Sequence, residues 1–354
     1  MDELGITDGK GVLRLAAWDY SWRKLWKGNK TYLEKAITID TNPPEIDILS
    51  RIHNIIQGGA GLVIYRISEP CLESGIQVGK NYFPGYSGYF KDDKILLSFF
   101  ALDYNQGTDT ELFLKATDNA GNTSKAGLNH YIKKKTFKND IINISDRFLK
   151  LKIPEFETKI PGDANQSLLD KFLMINNKIR QADFNSIKEI GEKTDPVLYW
   201  QGVFLRLPRS AQKAGFADRR TYKHNGRIID RQVHLGIDLA SVARSRVPAS
   251  NNGKIVFSGS LGIYGKTVMI DHGFGLFSMY SHLSSINVQP EQMVSKGEII
   301  GRTGSTGLAG GDHLHFGMFI HNTFVNPVEW WDNQWIKNNI SYKIKYVESS
   351  LNQE

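Results

Sequence analysis

Four short segments in the last third of the chain limit what it can fold into: His234-Leu-Gly-Ile-Asp238, Tyr264-Gly-Lys-Thr-Val-Met-Ile-Asp-His272-Gly, Met279-Tyr-Ser-His282-Leu and Gly310-Gly-Asp-His313-Leu-His315-Phe. Their histidines and aspartate recur at even spacings in strand-like sequence punctuated by glycine. Side chains at such spacings leave the same face of a β-strand. A helix would also align His234 with Asp238, but Gly236 between them and the lack of helix formers favour a strand or turn. A face built this way can hold a metal. Catalytic zinc commonly takes two imidazoles and one carboxylate and keeps a fourth position for water. Cys71 is the only cysteine, which removes an internal disulfide and a thiolate zinc site, so any metal must rest on His and carboxylate.

A chain of 354 residues predicts two or three domains, and its apolar and charged fractions are those of a soluble globular protein rather than a disordered or membrane one. The longest strongly apolar run, Ile95 to Leu102, falls far short of the roughly 20 residues a spanning helix needs, so no membrane-spanning segment is expected. The formal net charge of +7 favours an anionic partner: nucleic acid, acidic lipid and anionic cell-wall polymer all fit that sign. No Gly-rich phosphate loop, aromatic-studded RNA motif or Cys-x-x-Cys pair supports a nucleotide or nucleic-acid partner.

The chain up to about residue 136 predicts β-structure, with runs such as Gly61 to Ile67 and Ile95 to Leu102 separated by Gly/Pro/Asn/Asp turn clusters. That is the pattern of a β-sandwich. Leu13 to Asp19 followed by Gly28-Asn29 echoes Leu112 to Asp118 followed by Gly121-Asn122, which implies two related modules with the first cut short. Between them, the paired prolines of Ile39-Asp-Thr-Asn-Pro-Pro-Glu-Ile46 make a stiff extended joint. A single β-domain with one Pro-rich loop is the other reading. Ser167 is expected to cap a helix whose stripe is Leu168, Leu169, Phe172, Ile175 and Ile179, with a second short helix after Asp183 ending before Pro196. From Gly202 to about Trp335 the pattern returns to β, with strands expected over 253–259, 266–271 and 298–301, and the polar segment beyond Ile336 is expected at the surface or partly disordered.

Two resemblances carry these expectations further. The Asp-x-x-Pro-Pro joint and Ala116-Thr-Asp-Asn-Ala-Gly-Asn122 resemble bacterial immunoglobulin-like repeats on exported proteins. Residues 202 to 331 resemble the catalytic domain of the lysostaphin/LytM family of zinc endopeptidases. The match runs in register through His234-x-Gly-x-Asp238, Tyr264-Gly265, Val268-x-Ile-x-His272-Gly273, Tyr280-Ser-His282-Leu283, Val294-x-x-Gly297, Ile300-Gly-x-x-Gly304-x-Thr-Gly307, His313-Leu-His315-Phe316 and Val325-Asn-Pro327. The fold class implied is mainly β: a partial immunoglobulin-like module over 1–44, an immunoglobulin-like β-sandwich over 45–136, a helical linker subdomain over 137–200, an antiparallel β LytM-type zinc peptidase domain over 201–336 and a polar tail over 337–354.

By that resemblance one zinc ion would be held by His234, Asp238 and His315, with His282 and His313 as a non-ligating catalytic pair. A zinc-activated water would attack the amide, one neutral histidine would take its proton, and the other would hydrogen-bond the oxyanion. His313, two residues from a ligand, is read as the base. A tyrosine near the oxyanion falls to Tyr222, set apart from the first ligand by the insertion of residues 223–233. Asp312, where the family more often has proline or a small residue, reads as an imidazole partner or a solvated turn aspartate. His272, His224, His321, His53 and His130 read as structural or surface residues.

Eight Lys and Arg residues from Arg206 to Arg231, against only Asp218 and Asp230, would attract anionic wall polymer or the carboxylates of peptidoglycan stem peptides, or would be a solvated surface. The implied function is hydrolysis of peptide cross-links in bacterial peptidoglycan, with the N-terminal modules positioning the enzyme. The alternatives are a non-catalytic LytM-type binding or activator module and a zinc peptidase acting on protein substrates. The implied place of action is the periplasm or cell envelope. Met1-Asp-Glu-Leu-Gly-Ile-Thr-Asp8 has no signal-peptide pattern, so an export segment would lie upstream or have been removed.

Overall fold

Strands account for most of the architecture in a computed structural model that describes residues 7–19, 29–159 and 166–353. Gly28 of the first echo and the first six residues lie outside the described residues. The remainder of that echo is an antiparallel ribbon, Gly9–Trp18 paired with Lys30–Ile39 from Gly9↔Ile39 to Trp18↔Lys30. Its Val12, Leu13, Leu15, Trp18, Tyr32 and Leu33 are exposed.

Residues 46–127 form two antiparallel sheets, apart from His53–Ile56, which pairs in parallel with His130–Lys133. One orders Ile46–Ile48, Ala60–Ile67 and Ile95–Ala101; the other orders Thr123–Gly127, Leu112–Asp118, Cys71–Val78 and Asn81–Pro84. Leu112–Asp118 alternates buried and half-buried residues, as a strand with one covered face should. Ile95–Ala101 is buried at every position, because both of its faces are covered. The neighbouring strand, Ala60–Ile67, packs against the chain's C-terminal helix, whose Lys343 donates to the Leu62 carbonyl. The expectation of a surface or disordered tail is therefore corrected: a π-helical turn over Lys337–Ser341 leads into a helix over Tyr342–Leu351. Ile336, Ile340, Ile344 and Val347 recur at three- and four-residue steps and are buried. That stripe is diluted by Asn, Lys and Ser, so composition hid what periodicity carries.

The N-terminal sheets are joined to the rest by buried polar contacts as well as by packing. Glu329 Oε2 accepts the Ala60 N–H at 2.9 Å, and Lys343 Nζ donates to the Leu62 carbonyl at 2.8 Å. Burial pushes the Glu329 carboxyl up to about 8 and the Lys343 ammonium down to about 7. Phe99 packs against Trp200 and Trp330, and Tyr86 stacks on Phe274 at 5.0 Å.

In the linker, Asn139–Asn143 is a strand that pairs in parallel with Arg219–His224, and Ser145 caps a helix over Asp146–Lys152. Ser167 caps the next helix as expected, its side chain accepting the Asp170 N–H. The separate second helix is corrected. Helix continues from Leu168–Met174 through a π-helical turn, Ile175–Ile179, into Arg180–Gly191, so Asp183 sits inside it.

The main sheet of the C-terminal part runs Ala211–Ala214, Ile237–Ala240, Leu314–Ile320, Leu276–Leu283, Gly265–Asp271, Gly253–Leu261 and Met293–Val294, with Thr323–Val325 added to Leu314–Ile320. A smaller sheet orders Arg246–Pro248, Ile299–Arg302 and Ser285–Ile286. Leu276–Leu283 and Leu314–Ile320 are buried throughout, which gives the site-bearing strands a rigid base.

Candidate metal centre

The first imidazole is placed by a bend rather than a strand. Arg219–His224 and Arg227–Val233 form a hairpin that turns at Asn225-Gly226, both with positive φ (47° and 78°), the conformation a tight hairpin requires. Residues 223–233, the insertion ahead of His234, carry the turn and returning strand of this hairpin and double the chain back. His234 follows it, outside any strand, so its even spacing to Asp238 is not what aligns the two. Its N–H donates to the Asp218 carbonyl at 3.0 Å, its carbonyl accepts the Ala217 N–H at 2.7 Å, and Nδ1 lies 2.8 Å from the Gly215 carbonyl. A carbonyl can only accept, so Nδ1 carries the proton and the Nε2 lone pair is free.

Asp238 and His315 face each other across paired strands, Asp238↔His315 in register, and share one face. Three donor atoms then converge. His234 Nε2 lies 2.9 Å from Asp238 Oδ1 and 2.9 Å from His315 Nδ1, and His315 Nδ1 lies 3.0 Å from Asp238 Oδ1. All three residues are buried. Gly236 permits this, since a Cβ there would stand 2.6 Å from both Cε1 and Nε2 of His315.

The donor set fits a dication. A lone pair, a carboxylate and a second imidazole nitrogen crowd within 3.0 Å in a buried space, and one small cation satisfies all three together. Burial pushes His315 down to about 4, so its ring is neutral. Burial works against the Asp238 charge, but His234, His313 and His315 outweigh it and hold the carboxyl well below the ordinary carboxylate range. Arg220 Nη2 donates to Asp238 Oδ2 at 2.7 Å, leaving Oδ1 to the triad. Sequence reasoning counted Arg220 only as one member of a basic run. Among the described residues the other close acidic group, Asp40, Glu69 and Asp118, contains no imidazole, and Asp118 is occupied by amide donors of Ala120 and Asn122.

His282 and His313 stand beside the triad, with ring centroids 4.9 Å apart and His282 5.8 Å from His315. Alternation would place His282 with Tyr280, on the face where Tyr280 meets Phe316, while Ser281 is the residue opposite His315. A positive φ of 62° at His282 and a register shift between Lys266 and Val268 turn its ring to the site instead. Such strain persists only where surroundings enforce it. The Thr306 carbonyl does so, lying 2.9 Å from His282 Nδ1. That loop is held in turn by Glu155 Oε2, which accepts the Gly307 N–H at 3.0 Å, and by Lys152 Nζ, which donates to the Ser305 carbonyl. His313 Nδ1 lies 2.8 Å from the Gly311 carbonyl, and its Nε2 lies 3.6 Å from Asp238 Oδ1. Burial pushes His282 well below the ordinary imidazole range; for His313 burial is outweighed by Asp238, which raises it.

Asp238, His315, His282 and His313 line one cleft of about 600 Å³, walled by Ile142, Ser145 and Phe148 of the linker and by Tyr222. Tyr222 is buried against Phe172, 5.9 Å between centroids, so it shares the cleft despite its distance along the chain. Asp312 touches no imidazole: its carboxylate accepts from Thr303 Oγ1 at 2.6 Å and the Arg244 N–H at 3.1 Å and ties the loop before His313. The other histidines stand in structural contacts: His272 with Asn252 and Ser278, His321 with Gly191 and Tyr86, His53 with Ser50 and Asn129, His224 with Ile144, and His130 with Leu128.

Comparison with known proteins bears on the same segment. The chain is 45% identical over 97 residues to the DD-carboxypeptidase/endopeptidase Mpg of Neisseria meningitidis serogroup B, covering 27% of this chain and 22% of that one. It is 32% identical over 132 residues to the peptidoglycan DD-endopeptidase ShyA of Vibrio cholerae, covering 36% of this chain and 30% of that one. The chain thus matches less than a third of the length of either relative. A crystal structure of a peptidase M23 from Pseudomonas aeruginosa aligns with a TM-score of 0.50 and 18% identity over 78% of this chain and 95% of that chain. That likeness of fold reaches beyond the part that carries His234, Asp238 and His315. The segment matching Peptidase family M23 begins two residues before His234 and ends just after the strand that follows His315, so residues 232–327 of this chain are an M23, or LytM-type, domain.

Proposed function

We propose that the protein is a zinc-dependent endopeptidase that hydrolyses peptide cross-links of bacterial peptidoglycan and works in the cell envelope. The observation that carries this reading is the meeting of His234 Nε2, Asp238 Oδ1 and His315 Nδ1 within 3.0 Å, with His282 and His313 in the same cleft. The names borne by relatives of the M23 segment support the substrate class.

His234, Asp238 and His315 would hold the metal. Zinc bound there supplies a Lewis acid and lowers the pKa of water towards 7. Arg220 orients Asp238, and the Gly215 carbonyl fixes the His234 tautomer. The Thr306 and Gly311 carbonyls hold Nδ1–H on His282 and His313, so each ring, when neutral, offers an Nε2 lone pair. One ring can then accept a proton, and a ring that has accepted it becomes a donor at Nε2 to an oxyanion or a leaving nitrogen. Tyr222 would offer its hydroxyl from the adjoining wall.

Mass spectrometry of fragments released from purified peptidoglycan tests the reading. Cross-linked dimeric fragments should convert to monomers, with a protein substrate such as casein left intact. Intact dimers with degraded casein would favour a peptidase of protein substrates, and no hydrolysis of either would refute an enzymatic role.

A further inference from the structure

A second cavity, of about 630 Å³, shares Arg220 with the metal cleft. It is built where the loop at Tyr104 and Asn105, the helix Arg180–Gly191 with the turn before it, and the hairpin Arg219–Val233 come together. Arg180, Arg219, Arg220 and Arg231 line it, and none of the lining residues is acidic. Among the described residues Arg219 and Arg231 have no ion-pair or side-chain hydrogen-bond partner. Arg180 donates only to Asn176, a neutral residue. The nearby acids are turned elsewhere: Asp230 accepts from the amides of Asn176, Asn177 and Gln232, and Asp183 accepts the Ile263 N–H. Asp238 meets the charge of Arg220, but among the described residues Arg180, Arg219 and Arg231 have no carboxylate partner; their guanidinium groups around one concavity repel each other, and an anion placed among them relieves that repulsion.

We infer that this cavity binds a carboxylate of the substrate peptide, distinct from the peptide bond that is cut, and so positions the peptide relative to the metal cleft. The inference rests on the function proposed above. Guanidinium forks match carboxylates in two-point contacts. The other polar side chains of the lining, Gln232 and Asn177 among them, are amides and hydroxyls suited to peptide N–H and C=O groups. Arg220 belongs to both walls and donates to Asp238, which gives the bound carboxylate a fixed geometric relation to the triad.

Calorimetric titration of the full chain carrying His282→Ala, which blocks turnover, tests this with acetyl-Lys-D-Ala-D-Ala as the free acid and as its C-terminal amide. The free acid should bind about tenfold more tightly than the amide, the scale of a charge-assisted contact. Adding Arg219→Gln and Arg231→Gln should abolish that preference while leaving amide binding and melting temperature unchanged, and the Arg219→Lys/Arg231→Lys pair should keep part of it. Equal binding of acid and amide in the unaltered arginine background would overturn the inference. So would displacement of the acid by inorganic phosphate or glycerol phosphate at equal concentration, which would assign the cavity to a phosphate polymer. An arginine-dependent acid preference in a protein that does not hydrolyse peptidoglycan would sink the proposed function and leave this site standing. Hydrolysis with equal binding of acid and amide would do the reverse.

Discussion

Gly236→Ala is a sensitive probe of the triad because it adds one methyl group and no charge. The new Cβ would stand 2.6 Å from Cε1 and Nε2 of His315 and 2.8 Å from the Phe316 carbonyl oxygen. Ordinary contact begins near 3.4 Å, so the ring or the loop must retreat by about 0.8 Å. The loop is held by the Ile237↔Phe316 pairing and by the contacts of His234 with Ala217 and Asp218, so the shift falls largely on His315. Metal–ligand distances tolerate about 0.2 Å, several times less. Zinc affinity should drop by about 10- to 100-fold, roughly 1.4 to 2.7 kcal/mol, and overpacking should cost the metal-free protein about 1–3 kcal/mol. Competition with a chromophoric chelator gives the first quantity and urea unfolding the second. Gly310→Ala, on the wall of the cleft with nothing within 4 Å of its added Cβ, is the control and should change neither. Unaltered zinc affinity in Gly236→Ala would refute the steric argument.

His282→Ala and His313→Ala should each keep zinc and lose about 10²-fold or more in turnover; loss of metal with the fold retained, measured by elemental analysis and circular dichroism, would show that ligand and catalyst roles are exchanged. Glu329 titrates near 8 in the folded protein against 4.5 ordinarily, so its contribution to stability is complete below pH 4.5 and is lost as pH rises through 8. Relative to Glu329→Gln, the unaltered protein should lose up to roughly 5 kcal/mol across that window; a pH-independent difference in urea unfolding would contradict this. Ile340→Ala should cost about 2–5 kcal/mol because the C-terminal helix is part of the core; an unchanged urea midpoint would return that segment to the surface.

The convergence of His234, Asp238 and His315 was legible because these residues sit in recurring short motifs, but even spacing explains only part of it. Even spacing accounts for His313 and His315 near the start of one strand, and for Asp238 once its strand pairs with that of His315. His234 is placed by the bend after a hairpin, and His282 reaches the site only through a positive φ, which a period-two reading assigns to the wrong face. Arg220, the Thr306 carbonyl and the Lys152–Glu155 clasp were not legible, because each acts across long stretches of chain. The strands expected at 253–259, 266–271 and 298–301 emerge as Gly253–Leu261, Gly265–Asp271 and Ile299–Arg302. The C-terminal helix was missed because polar residues outnumber its apolar stripe, and the partner strand Ala60–Ile67 lies almost three hundred residues earlier. For the same reason the burial of Glu329 and Lys343 against the N-terminal sheets, which makes those sheets part of the common core, could not be read from composition.

The most direct test of the central claim is a zinc titration of chelator-treated protein, with release of monomeric fragments from purified peptidoglycan as the readout. One equivalent of zinc should restore hydrolysis in the unaltered chain, and His234→Ala, Asp238→Ala and His315→Ala should neither retain the ion nor recover activity. Full hydrolysis by protein shown to contain no metal, or full zinc retention by any of the three variants, would contradict the account.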